Sequence, residues 1–221
     1  MQPIPCPSVH SHPLPPALKP LLELVPHPSV AHTEEEKIAA ISGHFAAIMR
    51  ELGLDLRDDS LAGTPRRVAK MYVQEWFKGL DPQNRPEVRL FENRYDYHQL
   101  LVERDITLFS CCEHHFVPII GKAHVAYLPG TKVAGLSKLN RVAQYYARRP
   151  QVQERLTRQI GEELKQSLGT EDVAVLIEAD HLCVMSRGVN DTNSSTLTSE
   201  YSGRFGTDAA LRAEFLRLIG K

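Results

Sequence analysis

No stretch of this 221-residue chain is long and apolar enough to span a bilayer. Its first residues, Met1-Gln2-Pro3-Ile4-Pro5, lack both the basic start and the apolar run of a secretory signal. Net charge is nearly absent: 26 Lys and Arg against 27 Asp and Glu leave −1, so no global field gathers nucleic acid or a membrane surface. Any anionic ligand must then be held by local clusters of Lys and Arg. Internal repeats are missing. Cysteine is scarce, with four in the chain, two of them adjacent and two close to histidines. That pattern excludes a disulfide scaffold and implies reduced thiols in a cytoplasmic protein. What remains is 24% charged and 42% hydrophobic, an ordinary soluble composition. The length suffices for one core with a small helical appendage.

Three regions follow from texture. Residues 1–33 hold nine of the fifteen prolines and four of the ten histidines. Proline fixes φ and removes backbone donors, so this segment reads as an extended or disordered tail. Residues 34–95 read as a helical segment. Thr33 and Glu36 form a capping box, and Ile38, Ile41, Phe45, Ile48 and Leu52 follow at helical spacing. A second helix starts at Thr64-Pro65, carries Val68, Tyr72 and Trp76 on one face, and ends near Gly79. Residues 96–221 read as strand, strand, helix, helix, strand, strand and a short final helix. The strands are placed at 101–109, 122–127, 172–178 and 192–201, and the helices start at Ser137 and after Pro150. The expected fold is α+β, an antiparallel sheet with helices on one face.

Chemistry concentrates in two places. Residues 111–115 read Cys-Cys-Glu-His-His, and His181-Leu182-Cys183 ends an apolar strand. Cysteine three residues before histidine suits zinc, and the segment offers two such pairs: Cys111 with His114, and Cys112 with His115. Spacing alone leaves both open. Cys183 is the third ligand in either case, since Cys6 lies in the tail. His98 and His124 are poorly placed for a fourth ligand, which favours a three-ligand zinc with an open position. Such an ion activates water at neutral pH. The unused histidine of the first pair and His181 then serve as proton-transfer groups.

Cations recur nearby. Lys138 and Arg141 sit in the first turn of the Ser137 helix, where side-chain charge, dipole and free N–H groups suit phosphate. Arg187-Gly188 follows the second cluster, and Arg67 and Lys70 lie one helical turn apart. Glu154, with Gln153 beside it, offers a carboxylate able to accept two N–H donors from a guanine edge.

Taken in order, Cys-Glu-His-His-Phe-Val (112–117), Gly-Leu-Ser-Lys-Leu-Asn-Arg (135–141), Arg-Pro-Gln-Val-Gln-Glu-Arg-Leu-Thr (149–157) and His-Leu-Cys-Val-Met-Ser-Arg-Gly (181–188) resemble the GTP cyclohydrolase I family. Thr-Pro-Arg-Arg-Val-Ala-Lys-Met-Tyr (64–72) also fits, so the resemblance covers about residue 34 to the C-terminus. It implies the tunnelling fold and a homodecamer with sites between subunits. The implied reaction is hydrolytic opening of the guanine imidazole ring of GTP, loss of C8 as formate, and reclosure to 7,8-dihydroneopterin triphosphate. It places zinc on Cys112, His115 and Cys183, leaving Cys111 a neighbour, and makes His114 and His181 the proton carriers. By the same resemblance Glu154 and Gln153 hold the guanine edge, and Ser137 lies near the ribose. Lys138, Arg141 and Arg187 grip the triphosphate, joined by Arg67 and Lys70 from a neighbouring subunit. Two readings compete with it. A sister pterin enzyme of the same fold would carry an all-histidine zinc site, and a non-catalytic zinc-stapled nucleotide-binding module would need a fourth ligand.

Overall fold

The computed structural model describes residues 32–221, so the expectation of an extended tail over 1–33 lies outside the described residues save for its last two. Helix α1 (Glu34–Glu51) opens on the capping box read from sequence. Thr33 Oγ1 accepts from Glu36 N at 3.3 Å, and Glu36 Oε2 accepts from Thr33 N at 2.7 Å. Replacing Thr33 by Ala should cost the first turn about 1 kcal/mol, seen as a roughly five-fold loss of amide protection in hydrogen exchange. Ile38 is buried, but Ile48 and Leu52 of the same stripe are 52% and 71% exposed. One chain alone leaves half of this apolar face uncovered.

A one-turn helix α2 (Asp59–Ala62) leads into α3 (Thr64–Lys70), which packs against α1. Gly63 is its N-cap, so Pro65 occupies the second helical position rather than the first. The stripe of Val68, Tyr72 and Trp76 does not stay in one α-helix, because the backbone widens to a π-turn over Met71–Trp76. Tyr72 stacks on Phe77 there, and both rings meet Phe116 edge-on, which docks this segment beside the 112–117 turn.

The sheet has five strands in the order β5-β2-β3-β6-β7. They are β2 (Leu101–Cys112), β3 (Pro118–Tyr127), β5 (Pro150–Gln151), β6 (Val173–His181) and β7 (Thr196–Tyr201). All neighbours are antiparallel except β5, which lies parallel to the end of β2. Two short strands, β1 (Leu90–Glu92) and β4 (Lys132–Ala134), pair separately. β1 is a departure from the helical reading of residues 34–95, and its three residues are too few to show an alternation. Strands β2 and β3 also run further than read from sequence, up to Cys112 and back to Pro118, so the metal-type cluster is a tight turn between them.

Helices α4 (Leu136–Ala147) and α5 (Gln153–Leu168) cover one face of the sheet, as an α+β tunnelling fold requires. Leu139, Val142, Leu156, Ile160 and Leu164 pack there against Leu108, Ile119, Val125, Val175 and Ile177. The short α6 (Leu182–Met185) follows β6 directly, and α7 (Arg204–Thr207) and α8 (Ala209–Leu218) close the chain. Phe205, Leu211 and Phe215 pack with Ala126, Ala174 and Leu176 on the opposite face, so the C-terminal helices cover one end of the sheet's other side. Gly169 stops α5 in the left-handed conformation that glycine adopts without strain.

Candidate active site

Strand alternation separates the two adjacent cysteines. Successive side chains point to opposite faces, so Cys112 joins the face carrying Ile106 and Leu108, where Cys183 also packs. Cys111 turns the other way, fully buried, and burial pushes its thiol up to about 12. Burial thus favours its neutral form.

Among the described residues one group has metal-ligand geometry: donor atoms of Cys112, His115 and Cys183 all lie within 4.8 Å of one another. Cys112 Sγ is 3.7 Å from His115 Nδ1. Ligands of a tetrahedral zinc, at about 2.3 Å for sulfur and 2.0 Å for nitrogen, stand about 3.5 Å apart. The chemistry of the donor set points the same way. Burial and the neighbouring Cys112 sulfur push the Cys183 thiol up, so a cation beside it is what would favour its thiolate. The residues present therefore fit a soft divalent ion.

His114 lies beside this group with its Nδ1 3.8 Å from Cys112 Sγ, but its side chain is mostly exposed. His181 ends β6, directly across from Ile119 of β3, and burial lowers its pKa while Glu154 and Asp180 oppose the shift. Its Nε2 is 2.7 Å from Gln153 Oε1. Gln153 is 2% exposed, and its Nε2 faces Ile177 O, Thr196 O and Thr198 Oγ1. The sequence reading set Gln153 against a guanine edge, whereas in the structure its amide is turned inward and bonded to the protein. Glu154, the next residue, is exposed on the first turn of α5.

Several contacts fasten the parts together. Glu113 N donates to Gln151 O, and Arg155 ion-pairs with Glu113 while donating to Gln151 Oε1 and Pro150 O. The turn bearing Cys112 and His115 is thereby pinned to the start of α5. Arg155 drew no attention in the sequence because a lone arginine in a helix reads as a solvated charge.

The cations divide into two sets. Arg187 is exposed and reaches the cluster, its Nη1 donating to His115 Nε2 at 2.8 Å. Lys138 and Arg141 are on the first turns of α4. That helix begins at Leu136 with Gly135 as N-cap, so Ser137 is its second residue and not the start read from sequence. No side chain caps it; Lys138 N donates to Gly135 O, and the N–H groups of Leu136 and Ser137 are left available to an anion. Arg67 donates instead to Ser60 O and Thr64 Oγ1 at its own helix start. Among the described residues, no hydrogen bond or ion pair joins Arg67 or Lys70 to the cluster.

The model of one protein family, GTP cyclohydrolase I, matches residues 41–220. The chain belongs to the GTP cyclohydrolase I family. Its relatives include GTP cyclohydrolase 1 of Flavobacterium johnsoniae, 56% identical over 187 residues, covering 85% of this chain and 83% of that protein. GTP cyclohydrolase 1 of Aeromonas salmonicida is 56% identical over 182 residues, 82% of this chain and 84% of the relative. That of Yersinia pestis is 52% identical over 185 residues, 84% of each. The family match takes in α1 from Ile41 onward and the whole sheet, so both the metal group and the cations around it fall inside the shared region.

Proposed function

We propose that the protein hydrolyses GTP at guanine C8, releases that carbon as formate, rearranges the ribose, and closes ribose carbons into the new ring of 7,8-dihydroneopterin triphosphate. The convergence of Cys112, His115 and Cys183 beside His181, in a chain of the GTP cyclohydrolase I family, carries this reading. Zinc is the ion the donor set suits best, and when bound it acts as a Lewis acid that makes water nucleophilic at neutral pH. A sister enzyme with an all-histidine site is disfavoured by two thiols in the group. A metal-stapled binding module is disfavoured because no fourth ligand joins it among the described residues.

The chain's own residues supply the rest. Glu154, exposed at the mouth of α5, accepts two N–H donors from the guanine edge and sets the purine in place. His181 and His114 flank the metal group and carry protons to and from the purine nitrogens and the ribose oxygen. Lys138, Arg141 and the uncapped start of α4 hold the triphosphate with Arg187, and Ser137 in the same turn lies near the ribose. Arg67 and Lys70 complete that grip on a neighbouring subunit's site.

Assembly into a ring, a homodecamer in this reading, fits the surfaces left open. Ile48, Leu52, Phe109, Phe116 and Ile120 are 40–71% exposed, and β7 is an unpaired sheet edge. The division into a helical segment (34–95) and a catalytic unit (96–221) belongs to the same proposal, as does a cytoplasmic location that keeps the thiols reduced. No helix among the described residues is long and apolar enough to cross a membrane.

The test is direct. Purified zinc-loaded protein incubated with GTP should release one formate per GTP, and oxidation of the product should give neopterin fluorescence. Zinc bound with GTP left intact would overturn the proposal.

A further inference from the structure

We infer that Gln153 is a positioning residue that fixes the orientation and tautomer of the His181 ring, with the hydrogen on Nε2. Each proton in the surrounding network has one consistent place. Thr157 Oγ1 lies 2.8 Å from the carbonyl oxygen of Gln153, which can only accept, so the Thr157 hydroxyl donates there. Thr198 Oγ1 is 2.7 Å from Thr157 Oγ1, and with the Thr157 proton spent, Thr198 must donate to it. Thr198 Oγ1 is then an acceptor toward Gln153. The remaining neighbours of that end of the amide, Ile177 O at 3.1 Å and Thr196 O at 2.9 Å, are backbone carbonyls.

Three acceptors therefore surround one end of the Gln153 amide. The NH2 group must face them, because a flipped amide would set its oxygen against two carbonyl oxygens in a buried site. With that orientation fixed, Oε1 faces His181 Nε2 at 2.7 Å and can only accept. Nε2 must carry hydrogen, and Nδ1 is left with the lone pair. Because the anchoring carbonyls belong to β6 and β7, the strands themselves dictate the tautomer. The amide's donors are taken by the strands and its oxygen faces His181, so Gln153 works through His181.

This rests on His181 acting as a proton carrier, and the experiment separates the two ideas. In zinc-loaded protein labelled with 15N-histidine, the His181 signal is identified as the one missing from His181→Asn. It should show the protonated-Nε2 pattern. A protonated Nδ1 in the wild type would overturn the inference whatever the activity. Gln153→Met keeps the volume and removes the hydrogen bonds. It should lower kcat roughly 30-fold, less than the about 100-fold or more that goes with losing an acid–base group outright, with KM for GTP changed less than two-fold and with a mixed His181 tautomer. A large rise in KM with kcat preserved would mean that Gln153 holds the purine, and would equally overturn it. The wild-type spectrum needs no variant, so a poorly folding Gln153→Met leaves the decision intact. If His181→Asn turned over GTP at the wild-type rate while the wild-type tautomer was as stated, the proton-carrier reading alone would fail.

Discussion

Replacing Cys112 by Ser should strip the protein of zinc and lower GTP turnover by roughly three orders of magnitude or more, the scale of a lost Lewis acid worth several kcal/mol. The same change at Cys111 should leave zinc content near one per subunit and activity within about two-fold. The two sulfurs are neighbours in sequence, but only Cys112 shares the 4.8 Å group with His115 and Cys183. Cys111 sits on the opposite face of β2, 1% exposed and surrounded by protein. Zinc measured per subunit, with formate release on the same samples, checks both arms. Zinc lost from Cys111→Ser but kept by Cys112→Ser would mean that the metal is held in the other register, by Cys111 with His114.

A second large effect is expected far from any ligand. Gly121 lies in the middle of β3, opposite Leu108 of β2 and Ala179 of β6. A Cβ added there would stand 2.2 Å from Glu178 O and 2.5 Å from Ala179 Cβ, and both belong to the neighbouring strand. Neither can yield without moving β6, so Gly121→Ala should cost about 3 kcal/mol or more and lower Tm by roughly 10 °C. Activity should fall with it, because β6 carries His181 only two residues beyond Ala179. Gly130→Ala is the matched control, since a Cβ there meets nothing within 4 Å. Its Tm should stay within about 1 °C of the wild type. A Gly121→Ala protein with unchanged melting would show that the β3–β6 pairing tolerates more separation than the register implies.

Much of this site can be read from the sequence because its signals are local. The capping box at Thr33, the apolar run into His181 and the glycine after Leu168 each act within a few residues, and each stands where periodicity put it. The choice between the two cysteines was also within reach. A strand read as ending at Phe109 leaves both thiols in a loop, whereas two more residues of alternation place them on opposite faces. Other features depend on distant partners. β5 is two residues long and exists only because Cys111 and Cys112 lie beside it. The inward turn of Gln153 depends on carbonyls of Ile177 and Thr196, and those strands begin about twenty and forty residues later. The helix start read at Ser137 moved for a smaller reason: Gly135 takes up the extended cap geometry two residues earlier, with φ −65° and ψ 125°.

The two-residue strand β5 leaves the chain no slack between the metal turn and α5. Gln151 is paired with Cys112, and α5 begins at Gln153, with Val152 alone between them. An α-helix turns about 100° per residue. One residue inserted after Gln151 would swing Gln153 away from His181 and bring Val152 toward its place, while Cys112 stayed where it was. Length at this junction is therefore as exacting as residue identity, and an insertion at 152 should disable the site while every side chain named here is still present.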